Sequence, residues 1–325
     1  MAQDTETHTC AESSLWSLLN YYGSRYKNYQ PLLPSEILEK LNILSDHRLL
    51  PSRGLTSDEL AMVLTRDGHN CLIYTKSTHS DFFSIFRIYI ESGIPLIVIL
   101  QNSKIGHAVV AIGHEDIIPE YSATTGWQDV ADFSRKIVLM DDNMIPYQMV
   151  DTDAPTKQYK DPNLSNMQIV SFIAPLQKHM FLDAGQAFDL VKMIFNDKYV
   201  GLKKNSEQWQ TRLLLTSGRA FKHAVLHDKI IDSKIKSILI RIALPKFIWM
   251  CEIYRKGSLQ KGVCEGLLLF DSTGSNSLSS VILYFLDDKN IITDGSSWTG
   301  IKTMIPFSME TYRHNLKGDW NSWKI

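Results

Sequence analysis

Apolar side chains near the start of the chain recur at the spacing of one helix face. They are Leu15, Trp16, Leu18, Leu19 and Tyr22. Residues three and four apart lie on the same side of an α-helix, so the pattern predicts a helix from Cys10 to Tyr22. Gly23 follows as the expected C-cap. Cys10 is therefore expected to open this helix.

Two more helices are predicted before the pattern changes. Thr56, with Glu59 three residues later, has the sequence of a capping box and precedes apolar residues at helical spacing. Gly68 is expected to end that helix before a short strand over residues 71–74. A third helix is predicted over residues 81–91.

Short apolar runs replace the helical pattern after Gly93. Runs of this length between turn residues are typical of buried strands, and they cover residues 94–100, 107–112, 137–140 and 169–173. Helices followed by strands predict an α+β domain in which helices pack on an antiparallel sheet. We expect the helix that carries Cys10 to pack against the strand that carries His107.

The second half of the chain predicts a separate mixed α/β domain. Residues 142–166 are rich in Asp, Pro, Asn and Thr and predict a long excursion, after which we place a boundary near Pro175. The expected domains are residues 1–175 and 176–325. In the second domain the predicted helices cover residues 184–195, 219–227 and 233–244, and the predicted strands cover 209–215, 247–254, 263–270 and 280–285. Glu252 is interpreted there as part of an exposed strand face.

Composition and charge narrow the class of protein. The 325 residues are 44% hydrophobic and carry a net charge of −1, so no binding of nucleic acid or anionic lipid is expected. The four cysteines form no CxxC pair and indicate neither a disulfide framework nor a closed zinc site. The polar N-terminus and the absence of a long apolar run predict a cytoplasmic protein. We expect no cofactor, no metal and no membrane partner.

Candidate catalytic residues lie at the ends of predicted elements, in the order that a thiol hydrolase needs. A helix start favours a thiolate because unpaired backbone N–H groups and the helix dipole stabilise negative charge, and Cys10 has this position. His107 opens an apolar strand and is the candidate base. Asp141 and Asp142 end the next strand, and one of them would orient the imidazole. Strand alternation places them on opposite faces, so the sequence leaves open which one does so.

These residues also have an ordinary interpretation. A single cysteine is most often a small buried apolar residue, and this is how we interpret Cys71, Cys251 and Cys264. The Asp141-Asp142 pair would serve equally well as turn formers. Only the combination with His107 and the Asp141-Asp142 pair, in this order along the chain, favours catalysis by Cys10.

The same residues resemble a known family. The segment Cys10-Ala11-Glu12-Ser13-Ser14-Leu15, continued by Leu18-Leu19-Asn20-Tyr21-Tyr22-Gly23, resembles the nucleophile helix of the bacterial bacteriocin-leader (double-glycine) peptidases. Residues 107–113, His-Ala-Val-Val-Ala-Ile-Gly, resemble their histidine motif, and Asp141-Asp142 falls where they carry Asp-Pro. The resemblance covers about residues 1–150 and implies a papain-like cysteine peptidase with Cys10 as nucleophile.

Three departures from the family pattern stand out. Cys-Gly-Pro is replaced by Cys10-Ala11-Glu12, and Asp-Pro by Asp141-Asp142-Asn143. The resemblance also implies an oxyanion-hole glutamine six residues before the cysteine, whereas Gln3 lies seven before Cys10. Gln3 is nevertheless the candidate to stabilise the oxyanion together with the Cys10 backbone N–H.

The sequence as a whole favours a thiol hydrolase with a peptide or protein substrate. Cys10, His107 and one of the two aspartates would form a triad that acts through a thioester, and the second domain would select or present the substrate. Two alternatives stay open. In the first, the protein is an acyltransferase, and the acyl group of the thioester passes to an amine or thiol acceptor instead of water. In the second, the papain-like domain is inactive and serves as a binding module.

Overall fold

The computed structural model describes residues 10–26, 29–41, 54–115, 126–132, 136–196, 208–286, 289–293, 298–301, 306–313 and 315. The helices are α1 Cys10–Arg25, α2 Pro34–Lys40, α3 Ser57–Arg66, α4 Phe82–Glu91, α5 Ala184–Asn196, α6 Gly218–His227 and α7 Ser233–Arg241. The first strands are β1 His69–Thr75, β2 Leu96–Gln101, β3 Gly106–His114, β4 Gly126–Asp129, β5 Lys136–Met140, β6 Gln148–Asp151 and β7 Gln168–Gln177. The remaining strands are β8 Gln208–Ser217, β9 Phe247–Arg255, β10 Val263–Cys264, β11 Gly266–Asp271, β12 Val281–Leu286, β13 Lys289–Thr293, β14 Trp298–Ile301 and β15 Met309–Glu310.

The chain forms two compact units, and both are discontinuous in sequence. The first unit comprises Met1–Phe82, Gly93–Glu115 and Arg135–His179. The second comprises Phe83–Ser92, Asp116–Ser134 and Met180–Ile325. The second unit thus includes most of α4 and all of β4, which precede residue 175 in the chain. A division into domains at residues 1–175 and 176–325 stays a prediction.

A six-stranded sheet forms the centre of the first unit. Its strand order is β1-β7-β2-β3-β5-β6, and every neighbouring pair is antiparallel. The prediction of an α+β architecture with an antiparallel sheet is therefore confirmed. The strand β7 is the last of the six in the chain, yet it lies between β1 and β2.

Helix α1 packs on this sheet by its apolar face. Leu15, Leu18 and Leu19 are almost completely buried and share a hydrophobic cluster with Ile97 of β2 and Ala108 of β3. The helix start at Cys10 and the packing of α1 against the strand of His107 are as the sequence predicts.

Gly23 was expected to cap this helix, and that expectation is wrong. The residue lies inside α1, which continues to Arg25. A Cβ atom at this position would lie 2.8 Å from the Cδ of Pro31. Glycine is thus required for the close approach of the following chain segment rather than for a left-handed turn.

Helix α3 shows how local sequence sets an element boundary. Thr56 accepts a hydrogen bond from the Glu59 backbone, and the Glu59 side chain bonds back to the Thr56 N–H, which completes the predicted capping box. After the helix, Gly68 has a φ of +95° and turns the chain into β1.

The second unit contains a seven-stranded sheet of order β14-β13-β12-β11-β9-β8-β4. β4 runs parallel to β8, and the other neighbouring strands are antiparallel. Phe221 and Val225 of α6 and Leu239 of α7 belong to a buried cluster with Met250 and Leu267 of the sheet. The mixed composition expected for the second half of the chain is therefore present in this unit.

Two predicted elements of this unit differ in extent. α7 ends at Arg241, and Ile242 already has an extended backbone with ψ 137°. Pro245 disfavours helical geometry at the residue before it, which explains why the helix does not reach Leu244. The strand predicted over residues 263–270 is two strands, β10 and β11, because Glu265 interrupts the run and donates its N–H to Ile253.

Glu252 corrects another expectation, because its side chain is completely buried rather than on an exposed strand face. Arg212 of β8 donates from Nη1 to Glu252 Oε2 at 2.6 Å and from Nε to Glu91 Oε1 at 2.7 Å. Burial opposes the charge of Arg212, but Glu91 and Glu252 raise the pKa of its guanidinium above the ordinary value. The ion pairs and hydrogen bonds compensate for the burial of these charges.

Candidate active site

Cys10 is the first residue of α1 and is half-buried. The first turn of a helix has backbone N–H groups without partners in the helix, and these stabilise an anion placed beside them. The thiol therefore lies at the end of the helix where such N–H groups are found.

His107 is the second residue of β3 and is only 4% exposed. Its Nε2 lies 2.9 Å from Oδ2 of Asp141, and the side chain of Cys10 is near enough to raise the pKa of the imidazole. The structure thus brings Cys10, His107 and Asp141 together at one site.

The surroundings of His107 favour its protonated form. Burial lowers the pKa of the imidazole, but the hydrogen bonds to Asp141 and Cys10 outweigh it and raise the pKa to about 10. A carboxylate bonded to one ring nitrogen stabilises an imidazolium and fixes the ring orientation. The arrangement can therefore hold a proton between the sulfur and the ring.

Asp141 follows β5 directly and is held from several sides. Its Oδ1 accepts the backbone N–H of Asn143 at 2.9 Å, and its Oδ2 accepts the hydroxyl of Tyr159 as well as the imidazole of His107. The side chain is 1% exposed. A buried carboxylate with three donors has a fixed orientation.

Asp142 and Gln3 were also candidates from the sequence. Asp142 is exposed, and the carboxylate that bonds His107 is that of Asp141. Of the two alternatives left open by strand alternation, the geometry therefore places Asp141 at the imidazole. Gln3 lies outside the described residues.

Tyr159 is the residue of this site that sequence reasoning missed. It belongs to the polar stretch between β6 and β7, which was expected to be an excursion only. Its ring is 9% exposed and stands edge-on to the ring of His107, with the centroids 6.4 Å apart. No motif marks it in the sequence, because its partner is 18 residues away along an irregular path.

One hydrogen bond fixes α1 against β3 beside the site. Ser14 Oγ donates to the backbone oxygen of Ala108 at 3.0 Å, and the pair is buried. Ser14 lies one helical turn after Cys10, and Ala108 is the neighbour of His107. The bond therefore sets the register of the thiol relative to the imidazole.

The residues that depart from the family pattern are buried beside the thiol. Ala11 is 3% exposed and Glu12 is 7% exposed. A carboxyl group therefore lies in the first turn of α1, two residues after the candidate nucleophile, where the family pattern has a proline.

The other cysteines differ from Cys10 in their surroundings. Cys71 is half-buried, and burial raises the pKa of its thiol to about 12. Cys251 and Cys264 are completely buried, which raises their thiol pKa well above the ordinary value. All three are poor nucleophiles at neutral pH.

A second buried histidine in the first unit has a different environment. His69 of β1 is 3% exposed and stacks on the ring of Tyr29 with the centroids 4.2 Å apart. Tyr22 contacts it edge-on, and Oδ2 of Asp67 lies 3.8 Å from its Nδ1. Burial lowers the pKa of this imidazole to about 4, so it is neutral at pH 7.

Within the part of the chain that the structure describes, no group of three or more His, Cys, Asp or Glu side chains is placed to hold a metal ion. Among the same residues, no helix has the length and apolar character needed to cross a membrane.

Comparison with known proteins gives likenesses in structure but none in sequence. No protein-family model and no curated protein matches this chain. A solved structure that resembles it is the peptidase domain of Streptococcus ComA, a bi-functional ABC transporter involved in a quorum-sensing pathway. The likeness covers 54% of this chain and 96% of that chain, with 13% sequence identity and a TM-score of 0.33. A likeness at this TM-score carries no conclusion, so function is inferred from the side chains of the site.

Proposed function

We propose that this chain is a cysteine-dependent hydrolase of the papain-like superfamily that cleaves a peptide or amide bond through a thioester. The observation that carries the proposal is the buried imidazole of His107, bonded to Asp141 at 2.9 Å, with the thiol of Cys10 beside it at a helix start. This is the arrangement that an activated thiol nucleophile requires.

The reaction would proceed in two steps. Cys10, as thiolate, attacks the carbonyl carbon of the substrate; the C–N bond then breaks, and the His107 imidazolium gives its proton to the leaving amine. In the second step His107 takes a proton from water and the hydroxide attacks the thioester carbon; the C–S bond then breaks, which releases the acid and restores the Cys10 thiolate and the His107 imidazolium. Asp141 holds the imidazole throughout. Gln3 and the Cys10 backbone N–H are proposed to stabilise the oxyanion.

The test is the rate of alkylation of Cys10 by iodoacetamide at pH 6, followed by mass spectrometry of the folded protein. An ordinary thiol has a pKa of about 8.5 and reacts slowly at this pH. We expect Cys10 to react at least about tenfold faster than an ordinary thiol, and His107→Ala to remove the difference. Glutathione labelled in the same tube is the ordinary-thiol reference, and Cys71 should label more slowly still because burial suppresses its thiolate.

A matched control separates the base from any histidine on the same strand. His114 ends β3, and its Nδ1 contacts the backbone oxygen of Glu115 at 2.6 Å. His114→Ala should leave the reactivity of Cys10 unchanged. If wild-type Cys10 reacts no faster than a free thiol, the proposal is wrong and the domain is a binding module.

Hydrolysis and acyl transfer are distinguished by a second measurement. The protein is incubated with a peptide mixture in the presence and absence of an amine acceptor, and the products are identified by mass spectrometry. New peptide termini formed by water support the hydrolase. Products that carry the amine, at the expense of hydrolysis, would instead indicate an acyltransferase.

A further inference from the structure

Tyr159 is held in place by the backbone around it. Its N–H donates to the backbone oxygen of Thr156 at 3.1 Å. The Thr156 side chain, 1% exposed, accepts the N–H of Met167 at 3.0 Å, which joins the two ends of the segment. These bonds make the start of the irregular stretch a closed turn that presents one aromatic side chain.

The far end of the same stretch is fixed to the sheet. Asn102, which follows β2, donates from Nδ2 to the backbone oxygens of Asn163 at 2.8 Å and Ser165 at 3.2 Å. Gln168 at the start of β7 donates to the oxygen of Asp153 at 3.2 Å. Residues 152–167, which we call the tyrosine segment, are therefore attached at both ends, although they have no regular secondary structure.

The Tyr159 hydroxyl and the His107 imidazole are both hydrogen-bonded to the same oxygen of Asp141. Oδ2 of Asp141 accepts the Tyr159 hydroxyl and the Nε2 of His107, and its two lone-pair directions are then both used. The ring also covers the edge of His107. Loss of the hydroxyl would leave Oδ2 with one donor, and the carboxylate would then be free to turn away from the imidazole.

We infer that Tyr159 is a positioning residue, which acts on the nucleophile through Asp141 and His107 by holding the carboxylate toward the imidazole and keeping water from the pair. The inference rests on the proposed function of the site. Tyr159 touches no reacting atom, so its effect is expected in the thiolate population of Cys10 rather than in the binding of a substrate.

The groups that face His107 define how this effect is measured. Among the described residues they are Cys10 at the start of α1, Asp141 after β5 and Tyr159 of the tyrosine segment. Removal of the Tyr159 hydroxyl changes no charge. A change in the titration of His107 would therefore report the position of the Asp141 carboxylate.

The experiment compares wild type with Tyr159→Phe, which keeps the ring and removes only the hydroxyl. The rate of Cys10 alkylation by iodoacetamide is measured from pH 4 to 10, and the pKa of His107 is measured by NMR of 13C-labelled imidazole. We expect the pKa of His107 to fall by about one unit and the rate at pH 6 to fall about tenfold. A one-unit loss of imidazole basicity lowers the ratio of the thiolate–imidazolium pair to the neutral thiol–imidazole pair by a factor of about ten.

Tyr29→Phe is the matched control. Tyr29 is also buried in the first unit, and its hydroxyl donates to Gln177 Oε1 at 3.2 Å, away from the triad contacts. The control should leave the alkylation rate within about twofold of the wild type and the pKa of His107 unchanged. Circular dichroism checks that both variants fold. A purely structural role of Tyr159 would change thermal stability without moving the titration of His107.

The outcomes separate this inference from the proposed function. A fast wild type with an equally fast Tyr159→Phe, and the same pKa of His107 in both, would overturn the role of Tyr159 and leave the hydrolase proposal standing. A wild-type Cys10 as slow as a free thiol would overturn the hydrolase proposal, and the role of Tyr159 with it.

Discussion

Among the described residues of the first unit, the buried histidines His107 and His69 are 4% and 3% exposed and yet differ in charge. The pKa of His107, despite burial, is raised to about 10, whereas burial lowers that of His69 to about 4. A carboxylate oxygen lies 2.9 Å from a ring nitrogen of His107, and the corresponding distance at His69 is 3.8 Å. Burial alone therefore does not set the charge of an imidazole; a bonded carboxylate does.

The partner carboxylates differ in the same way. Asp141 accepts three hydrogen bonds, from His107, Asn143 and Tyr159. Burial raises the pKa of Asp67, whose Oδ1 is 3.5 Å from Lys40 Nζ. Donors arranged around one carboxylate fix its orientation, and Asp141 at the candidate site has three of them.

The largest expected effect comes from Asp141→Asn, which should leave His107, like His69, as a buried imidazole without a bonded carboxylate. Without the carboxylate, an interaction that offsets burial is lost, and we expect the pKa of His107 to fall well below its value of about 10. An adjacent opposite charge shifts a pKa by about 1–3 units, so Cys10 alkylation at pH 6 should fall on the order of 10-fold to 1,000-fold. The rate and the imidazole titration by NMR are the measurements.

The control for this variant is Asp142→Asn, one residue further along the exposed turn. It removes the same charge at almost the same place in the chain. An equal loss of reactivity in both variants would show that general electrostatics, and not the bond to His107, activates the thiol.

A smaller effect is expected in the acid stability of the first unit. The pKa of His69 is depressed, so the unfolded chain takes up the proton first, and stability is lost as the pH falls from about 6.5 to about 4. The loss amounts to about 3 kcal/mol. His69→Phe keeps an aromatic ring against Tyr29 and should remove this pH-dependent loss of stability.

Urea unfolding between pH 7 and pH 5 measures this slope. The wild type should lose stability over this range, while His69→Phe should show a smaller dependence on pH. Equal slopes in the two proteins would mean that His69 is not neutral in the folded state.

The smallest expected effect is that of Ser14→Ala. The variant loses one buried hydrogen bond to the Ala108 carbonyl, which is worth about 1 kcal/mol. Because this bond sets the register of α1 on β3, we expect Cys10 alkylation at pH 6 to slow about threefold. Ser24→Ala on the same helix removes an exposed bond to Tyr21 and should have no effect on the rate.

The sequence predicts those parts of the fold that repeat a simple period. The elements that carry Cys10 and His107 follow from apolar spacing, because each has a long buried face. The short strands β4 and β6 have four residues each and were not predicted. A strand of this length contains too few alternations to differ from an apolar stretch of loop.

The candidate site was predicted only where local sequence determines it. The positions of Cys10 at a helix start and of His107 at a strand start are local properties. The choice of Asp141 over Asp142 and the contact with Tyr159 depend on how an irregular stretch folds back onto the sheet. No local period describes that return, so the sequence alone left both undetermined.

The place of β7 in the sheet has a consequence for how the protein is made. β1 and β2 emerge from the ribosome long before β7, which separates them in the finished sheet. At a synthesis rate of about 5–20 residues per second, several seconds pass before β7 is complete. Until then, the Leu-Ile-Val-Ile-Leu run of β2 has an unpaired edge that another nascent chain can join. A chaperone that shields strand edges is therefore expected to raise the folded yield.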